Sequence, residues 1–306
     1  MMLLIWIIIL IAGLFLLIKS ADYFTDSAEK IGLYFGMPAF LVGVTIVAVG
    51  TSVPELATSI IAVLKNSSEI VLGNVVGSNI ANILLILGIV AVINKKVTFE
   101  KSSKIDLILL IFATLLLVLF SLDGAITPYE SVAFLSIYIF YIIIIFINNK
   151  DNKRPDIKWS WKHPLILVVS CGVIYISAEY IIKSVIIISE TIGIGKEVIA
   201  ASAVAFGTSL PELSVSFIAA RKGNIELSIG NILGSNVFNT LVVLGIPGLI
   251  STLTVTGVML SFTIPVMIMA TIILVYVIKT QRLESWQGII MLAMYALFII
   301  RLFNVF

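Results

Sequence analysis

Charge is scarce in this sequence, and so are the side chains that usually carry chemistry. Only 12% of the 306 residues are charged, about half the roughly 25% of a soluble domain. There is one cysteine, Cys171, and one histidine, His163. A single cysteine excludes an internal disulfide framework and any zinc site built on thiolates. A single histidine, with no pair of aspartates inside an apolar run, leaves no Ser–His, paired-Asp or metal–His constellation for an intramembrane protease. Cys171 has apolar neighbours and is expected to serve packing. His163, beside Pro164 at a loop–helix junction, reads as interfacial. A formal net charge of +2 gives no reason to expect a nucleic-acid partner.

What fills the sequence instead is apolar bulk, 60% of all positions. Stretches 1–18, 105–120 and 131–147 are almost uncharged and apolar on every side. Each approaches the roughly 20 residues that carry a helix across a hydrocarbon core of about 30 Å. The polar residues are too few to enclose such helices in a soluble fold. The first run lacks a basic segment before it, since the first lysine is Lys19. It is therefore expected to remain as a span rather than be cleaved as a signal.

The expected fold class is an all-α polytopic membrane protein of ten transmembrane helices. The spans lie near 2–18, 38–64, 70–93, 105–121, 128–147, 164–185, 195–220, 226–250, 258–278 and 285–304. With ten spans, fifteen of the nineteen basic residues fall in loops on one side, from Lys19 and Lys30 through the 95–104 and 150–162 clusters to Arg221, Lys222, Lys279 and Arg282. Basic loops stay in the cytoplasm, so both termini are expected outside the cell. Trp159 and Trp161 fit an interfacial anchor before the sixth span.

The sequence also repeats itself. Residues 43–89 align without a gap on residues 200–246 at an offset of 157, and the same offset pairs Asp22 with Glu179 and Tyr138 with Tyr295. The chain divides into a first five-span repeat, 1–147, a cytoplasmic linker, 148–162, and a second five-span repeat, 163–306. Five is odd, so the second repeat enters the membrane from the opposite side. Inverted repeats of this kind build a midplane binding site between the halves of many secondary transporters.

Within each repeat, polar residues stand at membrane depth. Gly50-Thr51-Ser52-Val53-Pro54-Glu55 is matched by Gly207-Thr208-Ser209-Leu210-Pro211-Glu212. Pro54 and Pro211 offer no N–H to the carbonyls of Gly50 and Gly207, so each helix should break there. The freed carbonyls are expected to turn inward as ion ligands. Asn74, Ser78 and Asn82 form a polar stripe on the next span, repeated by Asn231, Ser235 and Asn239, with Gly73, Gly77, Gly230 and Gly234 beside them for close helix approach. Carboxylates, hydroxyls, amides and carbonyls make an all-oxygen donor set, which suits hard cations rather than soft metals. A carboxylate near the bilayer centre costs several kcal/mol without a partner. Glu55 and Glu212 together balance one Ca²⁺ or about two Na⁺, so one shared site yields exchange rather than leak. Asp22 and Glu179 read as interfacial structural charges. Asp106, Asp123 and Glu284 read as loop or helix-end charges.

Residues 50–56 with 73–83, and 207–213 with 230–240, resemble the two α-repeats of the Ca²⁺/cation antiporter superfamily, most of all its prokaryotic Na⁺/Ca²⁺ exchanger branch. The resemblance covers nearly the whole chain. It implies a secondary antiporter that is no enzyme, carries Ca²⁺ and Na⁺ as cargo, has no cofactor and needs no obligatory protein partner. It implies that spans 2, 3, 7 and 8 surround the ions and that spans 1 and 6 slide across them. By motif position Glu55 and Glu212 are the principal Ca²⁺ ligands. Thr51, Ser52, Thr208 and Ser209 serve both ions, Ser78 and Ser235 line flanking Na⁺ positions, Asn82 and Asn239 lie near the centre, and the carbonyls of Ala48 and Ala205 contribute. Asn239 stands where K⁺-dependent relatives have Asp, which argues against K⁺ co-transport. Proton-coupled relatives have Gly-Asn-Ala-x-Glu at the motif, which makes a Ca²⁺/H⁺ or broader divalent antiporter the alternative. A channel usually repeats its filter around a symmetric oligomer, whereas this chain holds its own two-fold repeat.

Overall fold

The computed structural model describes residues 2–94, 96–99, 104–148, 159–191 and 209–305. Eleven helical segments organise these residues: α1 (Met2–Tyr34), α2 (Ala39–Thr51), α3 (Val53–Leu64), α4 (Glu69–Asn94), α5 (Lys104–Ser121), α6 (Pro128–Asn148), α7 (Lys162–Thr191), α8 (Leu210–Arg221), α9 (Ile225–Ile250), α10 (Met259–Thr280) and α11 (Ser285–Val305). Seven are long and apolar enough to cross a membrane, and α2 with α3 forms an eighth, bent by 40°. The protein is a mainly helical, multi-pass membrane protein.

The first helix does not end near residue 18. It runs to Tyr34, because the drop in hydropathy at Lys19 marks a change of environment and not a break. Beyond it Ala21, Phe24, Ala28 and Ile31 recur at helical spacing and are buried. α7 likewise continues to Thr191. Of the seventh expected span only 209–220 falls within the described residues.

Burial sorts the helices into two groups. α4 and α9 are buried over 72% and 89% of their apolar stretches, against 17% and 28% for α1 and α7. α4 and α9 thus form the centre, with α2, α5, α6, α10 and α11 packed around them. α1 and α7 lie side by side as a separate layer, sharing an apolar cluster with α2 and α8. Their outer faces present Leu4, Ile11, Phe15, Leu165 and Val168, as helices bathed in lipid do. At the centre α2 meets α9 backbone to backbone. A Cβ on Gly230 would stand 2.3 Å from the carbonyl oxygen of Phe40, so only glycine admits that approach.

Two short antiparallel ribbons join distant segments. β1 (Lys96–Thr98) pairs with β4 (Arg282–Glu284), and β2 (Ala125–Ile126) pairs with β3 (Leu253–Thr254). The 157-residue offset carries Lys96 to Leu253 and Ala125 to Arg282, so the second ribbon repeats the first. Tyr34, Phe35, Trp159 and Trp161 form one aromatic cluster at a helix end, the arrangement of an interfacial anchor. Asp123 and Glu284 are exposed, and each accepts one local hydrogen bond. Asp106 keeps the expected helix-end place in the first turn of α5, where it is buried and accepts a hydrogen bond from the Tyr141 hydroxyl. The phenol takes the place of water around that carboxyl group.

Candidate cation site

The break between α2 and α3 falls at Ser52 (φ −90°, ψ 5°), two residues before Pro54, and α8 begins the same way at Ser209 (φ −86°, ψ 2°). The rupture is the one proline dictates, since its ring removes the N–H that residue 50 or 207 would receive. Each of these helices carries a glutamate in its first turn, Glu55 in α3 and Glu212 in α8. The positive end of each helix dipole therefore lies beside a carboxylate.

Both carboxylates are sealed from bulk solvent, Glu55 at 0% and Glu212 at 1% exposure. They lie close enough to act on one another electrostatically. Ser52 Oγ donates to Glu212 Oε1 at 2.8 Å. Thr51 Oγ1 donates to Asn231 Oδ1 at 3.2 Å and lies 3.5 Å from Ser235 Oγ. Asn74 donates to Ser59 Oγ and to the Glu55 carbonyl, and Asn231 donates to Ser216 Oγ. Ser78, Asn82, Ser209, Ser235 and Asn239 are all buried. The sequence-picked Thr208 and Ala205 lie outside the described residues, as does Gly207.

Asn82 and Asn239 occupy π-helical turns, Ala81–Leu87 in α4 and Asn239–Val243 in α9. Such bulges free backbone and aim side chains where a regular helix would not. α3 packs against the π turn of α9, and α8 packs against the π turn of α4. Each glutamate helix thus crosses onto the other half's asparagine.

Several carboxylate, hydroxyl and amide oxygens here have no hydrogen-bond partner among the described residues. They are both oxygens of Glu55, Glu212 Oε2, Ser209 Oγ, Asn82 Oδ1 and Asn239 Oδ1. Buried polar atoms are otherwise almost always paired. A hard cation is the partner such a set fits, because Ca²⁺ takes about six to eight oxygens. No group of three or more His, Cys, Asp or Glu side chains gathers among the described residues, so the donor set mixes two carboxylates with neutral oxygens.

One expectation needs correction. The Gly50 carbonyl does not turn inward: it accepts a hydrogen bond from Cys171 Sγ on α7 at 3.1 Å. Cys171 is half-buried and gives that orphaned carbonyl its donor, so packing alone does not describe it. The Ala48 carbonyl accepts the helical hydrogen bond from Ser52 N at 3.1 Å and lies 3.3 Å from Thr51 Oγ1, whose one proton is shared with Asn231 Oδ1. The residue-by-residue reading also passed over Asn79, which donates to Thr240 Oγ1 and accepts from Asn239 Nδ2 at 3.3 Å. Its signal was there, since Asn79 and Asn236 are equivalent at the 157-residue offset.

The family model described as sodium/calcium exchanger protein matches residues 5–147 and 162–304. The sodium/calcium exchanger MaX1 of Methanosarcina acetivorans is 34% identical, with 97% of this chain and 98% of that protein covered. The putative antiporter CaxA of Alkalimonas amylolytica is 31% identical over 93% and 94% of the two chains. Among solved structures, the sodium-calcium exchanger NCX_Mj soaked with zero Na⁺ and Ca²⁺ superposes with a TM-score of 0.86 at 28% identity, covering 98% of this chain and 99% of its own.

Proposed function

The chain belongs to the sodium/calcium exchanger protein family, and from that premise we propose that the buried oxygen cluster on α2–α3, α4, α8 and α9 is where its ions bind. The protein is a secondary transporter that exchanges Ca²⁺ for Na⁺ across a membrane. Its cargo ions are its substrates, and it uses no cofactor.

Glu55 and Glu212 are the principal Ca²⁺ ligands. Thr51, Ser52, Thr208 and Ser209 contribute hydroxyl or carbonyl oxygens to both ions, Ser78 and Ser235 flank the site as Na⁺ positions, and Asn82 and Asn239 supply amide oxygens at the centre. Ala48 and Ala205 contribute carbonyl oxygens. The observation that carries this reading is the set of unpartnered buried oxygens on Glu55, Glu212, Ser209, Asn82 and Asn239. Two carboxylates with no buried counter-charge are costly until cations arrive. Either one Ca²⁺ or about two Na⁺ restores neutrality, and occupancy by one cargo excludes the other. That mutual exclusion is what makes the transport an exchange.

The architecture we infer is ten spans in two inverted repeats, residues 1–147 and 163–306, joined by a cytoplasmic linker at 148–162. The two stretches matched by the family model and the two ribbons related by the repeat offset support it. The basic loops support a cell-membrane orientation with both termini outside.

The test is Ca²⁺ uptake into vesicles loaded with Na⁺ and diluted into Na⁺-free buffer. Uptake that requires internal Na⁺ and disappears in the Glu55→Gln, Glu212→Gln double variant is the expected result. Uptake indifferent to Na⁺ and driven by an imposed pH gradient would assign Ca²⁺/H⁺ exchange instead, and uptake surviving the double variant would move the site elsewhere.

A further inference from the structure

One ion-pair cluster lies outside the ion site, where α1 meets the turn between α8 and α9. Lys222 Nζ contacts Asp22 Oδ1 and Asp26 Oδ1 at 2.6 Å each and reaches the Asp22 carbonyl at 3.4 Å. One ammonium thus grips two successive turns of α1. The two carboxylates hold the Lys222 pKa above its ordinary value although partial burial works against the charge. Lys222 also lines two clefts, of about 620 and 260 Å³, on either side of this contact.

Between the two aspartates stands Phe24, fully buried, and its ring lies against Gly50: a Cβ there would be 2.7 Å from Phe24 Cζ. Gly50 immediately precedes Thr51 and Ser52. The stretch of α1 gripped by Lys222 is therefore the stretch that covers the broken helix.

The repeat supplies an internal control. At the 157-residue offset Lys222 corresponds to Lys65, Asp22 to Glu179 and Asp26 to Lys183. The two turns match in conformation: Lys65 and Lys222 each end a helix, and each is followed by a left-handed residue, Asn66 (φ 58°) and Gly223 (φ 80°). The partners do not match. Lys183 stands where the second aspartate would be, and it bonds Glu179 on α7 itself. Among the described residues Lys65 makes no ion pair.

We propose that Asp22, Asp26 and Lys222 form a one-sided latch that holds the Phe24 segment of α1 over the Gly50–Ser52 break, and that the Asp26-to-Lys183 difference removes the equivalent latch from the other face. The latch biases the transporter against opening on the Lys222 side. This inference rests on the exchange reading above, because the bias is read through side-specific ion affinity.

The experiment measures half-saturation for Ca²⁺ at each face, using the full-length protein in vesicles of both orientations. Lys222→Gln is expected to lower the half-saturating concentration on the Lys222 face and raise it on the opposite face, by about three- to tenfold, the scale of two partly exposed ion pairs acting on a two-state equilibrium. Lys222→Arg keeps the charge and is expected to behave as the unmodified protein. Lys183→Asp restores on α7 the two carboxylates that α1 carries and is expected to shift both values the opposite way. Unchanged values in Lys222→Gln, an equal loss on both faces, or the same shift in Lys222→Arg would overturn the latch. Absence of Na⁺-dependent Ca²⁺ flux in the unmodified protein would overturn the exchange reading itself, a result separable from all of these.

Discussion

Ser52 and Ser209 hold equivalent places two residues before Pro54 and Pro211, yet among the described residues only Ser52 reaches across to the other half's glutamate. Ser52 bonds Glu212, whereas among the described residues Ser209 Oγ has no partner and neither oxygen of Glu55 accepts a bond. The asparagines divide differently. Asn239 is anchored by Asn79, while among the described residues Asn82 has neither its amide nitrogen nor its oxygen paired. The sequence repeat thus duplicates these residues without duplicating their hydrogen bonds. One diagonal, Ser52–Glu212, is knit by a hydrogen bond, whereas at the equivalent places Ser209 Oγ and the Glu55 carboxylate have no hydrogen-bond partner among the described residues. A carboxylate already served by a hydroxyl is stabilised in the absence of an ion, whereas one without donors depends on the cation.

The largest expected effects come from removing charge on each diagonal. Glu55→Gln is expected to weaken Ca²⁺-dependent exchange by about a hundredfold or more, the scale of removing one partner from a buried charge pair. Glu212→Gln should cost less, by about fivefold to tenfold, because a glutamine there still accepts from Ser52. Half-saturation for Ca²⁺ uptake in the two single variants decides it, and the reverse order would mean that the knit diagonal carries the ion.

A smaller contrast is expected at the π turns. Asn82→Leu removes unpaired atoms, so it should lower Ca²⁺ affinity by about tenfold while leaving ion-free stability little changed. Asn239→Leu takes the donor from Asn79 Oδ1 and should destabilise the ion-free protein by about 1–3 kcal/mol. Thermal unfolding with and without Ca²⁺ separates the two, since a ligand that binds only the folded state raises the midpoint. Equal losses of stability in both variants would erase the contrast.

Much of this was legible in the sequence, for a reason the comparison makes plain. Pro54 and Pro211 announce broken helices because proline's missing N–H is a local covalent fact. The offset of 157 residues pairs Glu55 with Glu212 because a duplicated motif survives as text. What the text cannot carry is which copy of an interaction forms. Nothing in the serine-containing motifs distinguishes Ser52 from Ser209; the difference arises from how α2, α3 and α8 sit against one another. The ribbons were unreadable because strands of two or three residues are made by their partners and not by propensity. The full length of α1 was readable but passed over, since Ala21, Phe24 and Ala28 continue the helical period while hydropathy falls at Lys19.

The serines sharpen the comparison at lower cost. Ser52→Ala strips the donor from Glu212 Oε1, a hydrogen bond to a carboxylate worth about 1.5–3 kcal/mol, and should weaken both cargo ions by about tenfold. Ser209→Ala removes a hydroxyl with no partner among the described residues and should leave ion-free stability almost unchanged. Any loss it causes should appear only in the presence of Na⁺ or Ca²⁺. If Ser209→Ala destabilises the ion-free protein as much as Ser52→Ala does, the second diagonal is knit as well.

The smallest expected effect is at Cys171, and it tests whether the break is supported from outside the site. Its thiol is a weak donor, so the bond to the Gly50 carbonyl is worth about 1 kcal/mol at most. Leu14 occupies the equivalent place on α1 and can donate nothing. Cys171→Ser keeps a donor of similar size and should leave Ca²⁺ half-saturation unchanged. Cys171→Ala leaves the carbonyl unpaired and should raise it by about threefold. A Cys171→Ala variant indistinguishable from Cys171→Ser would show that the break holds its shape without a donor from the neighbouring helix.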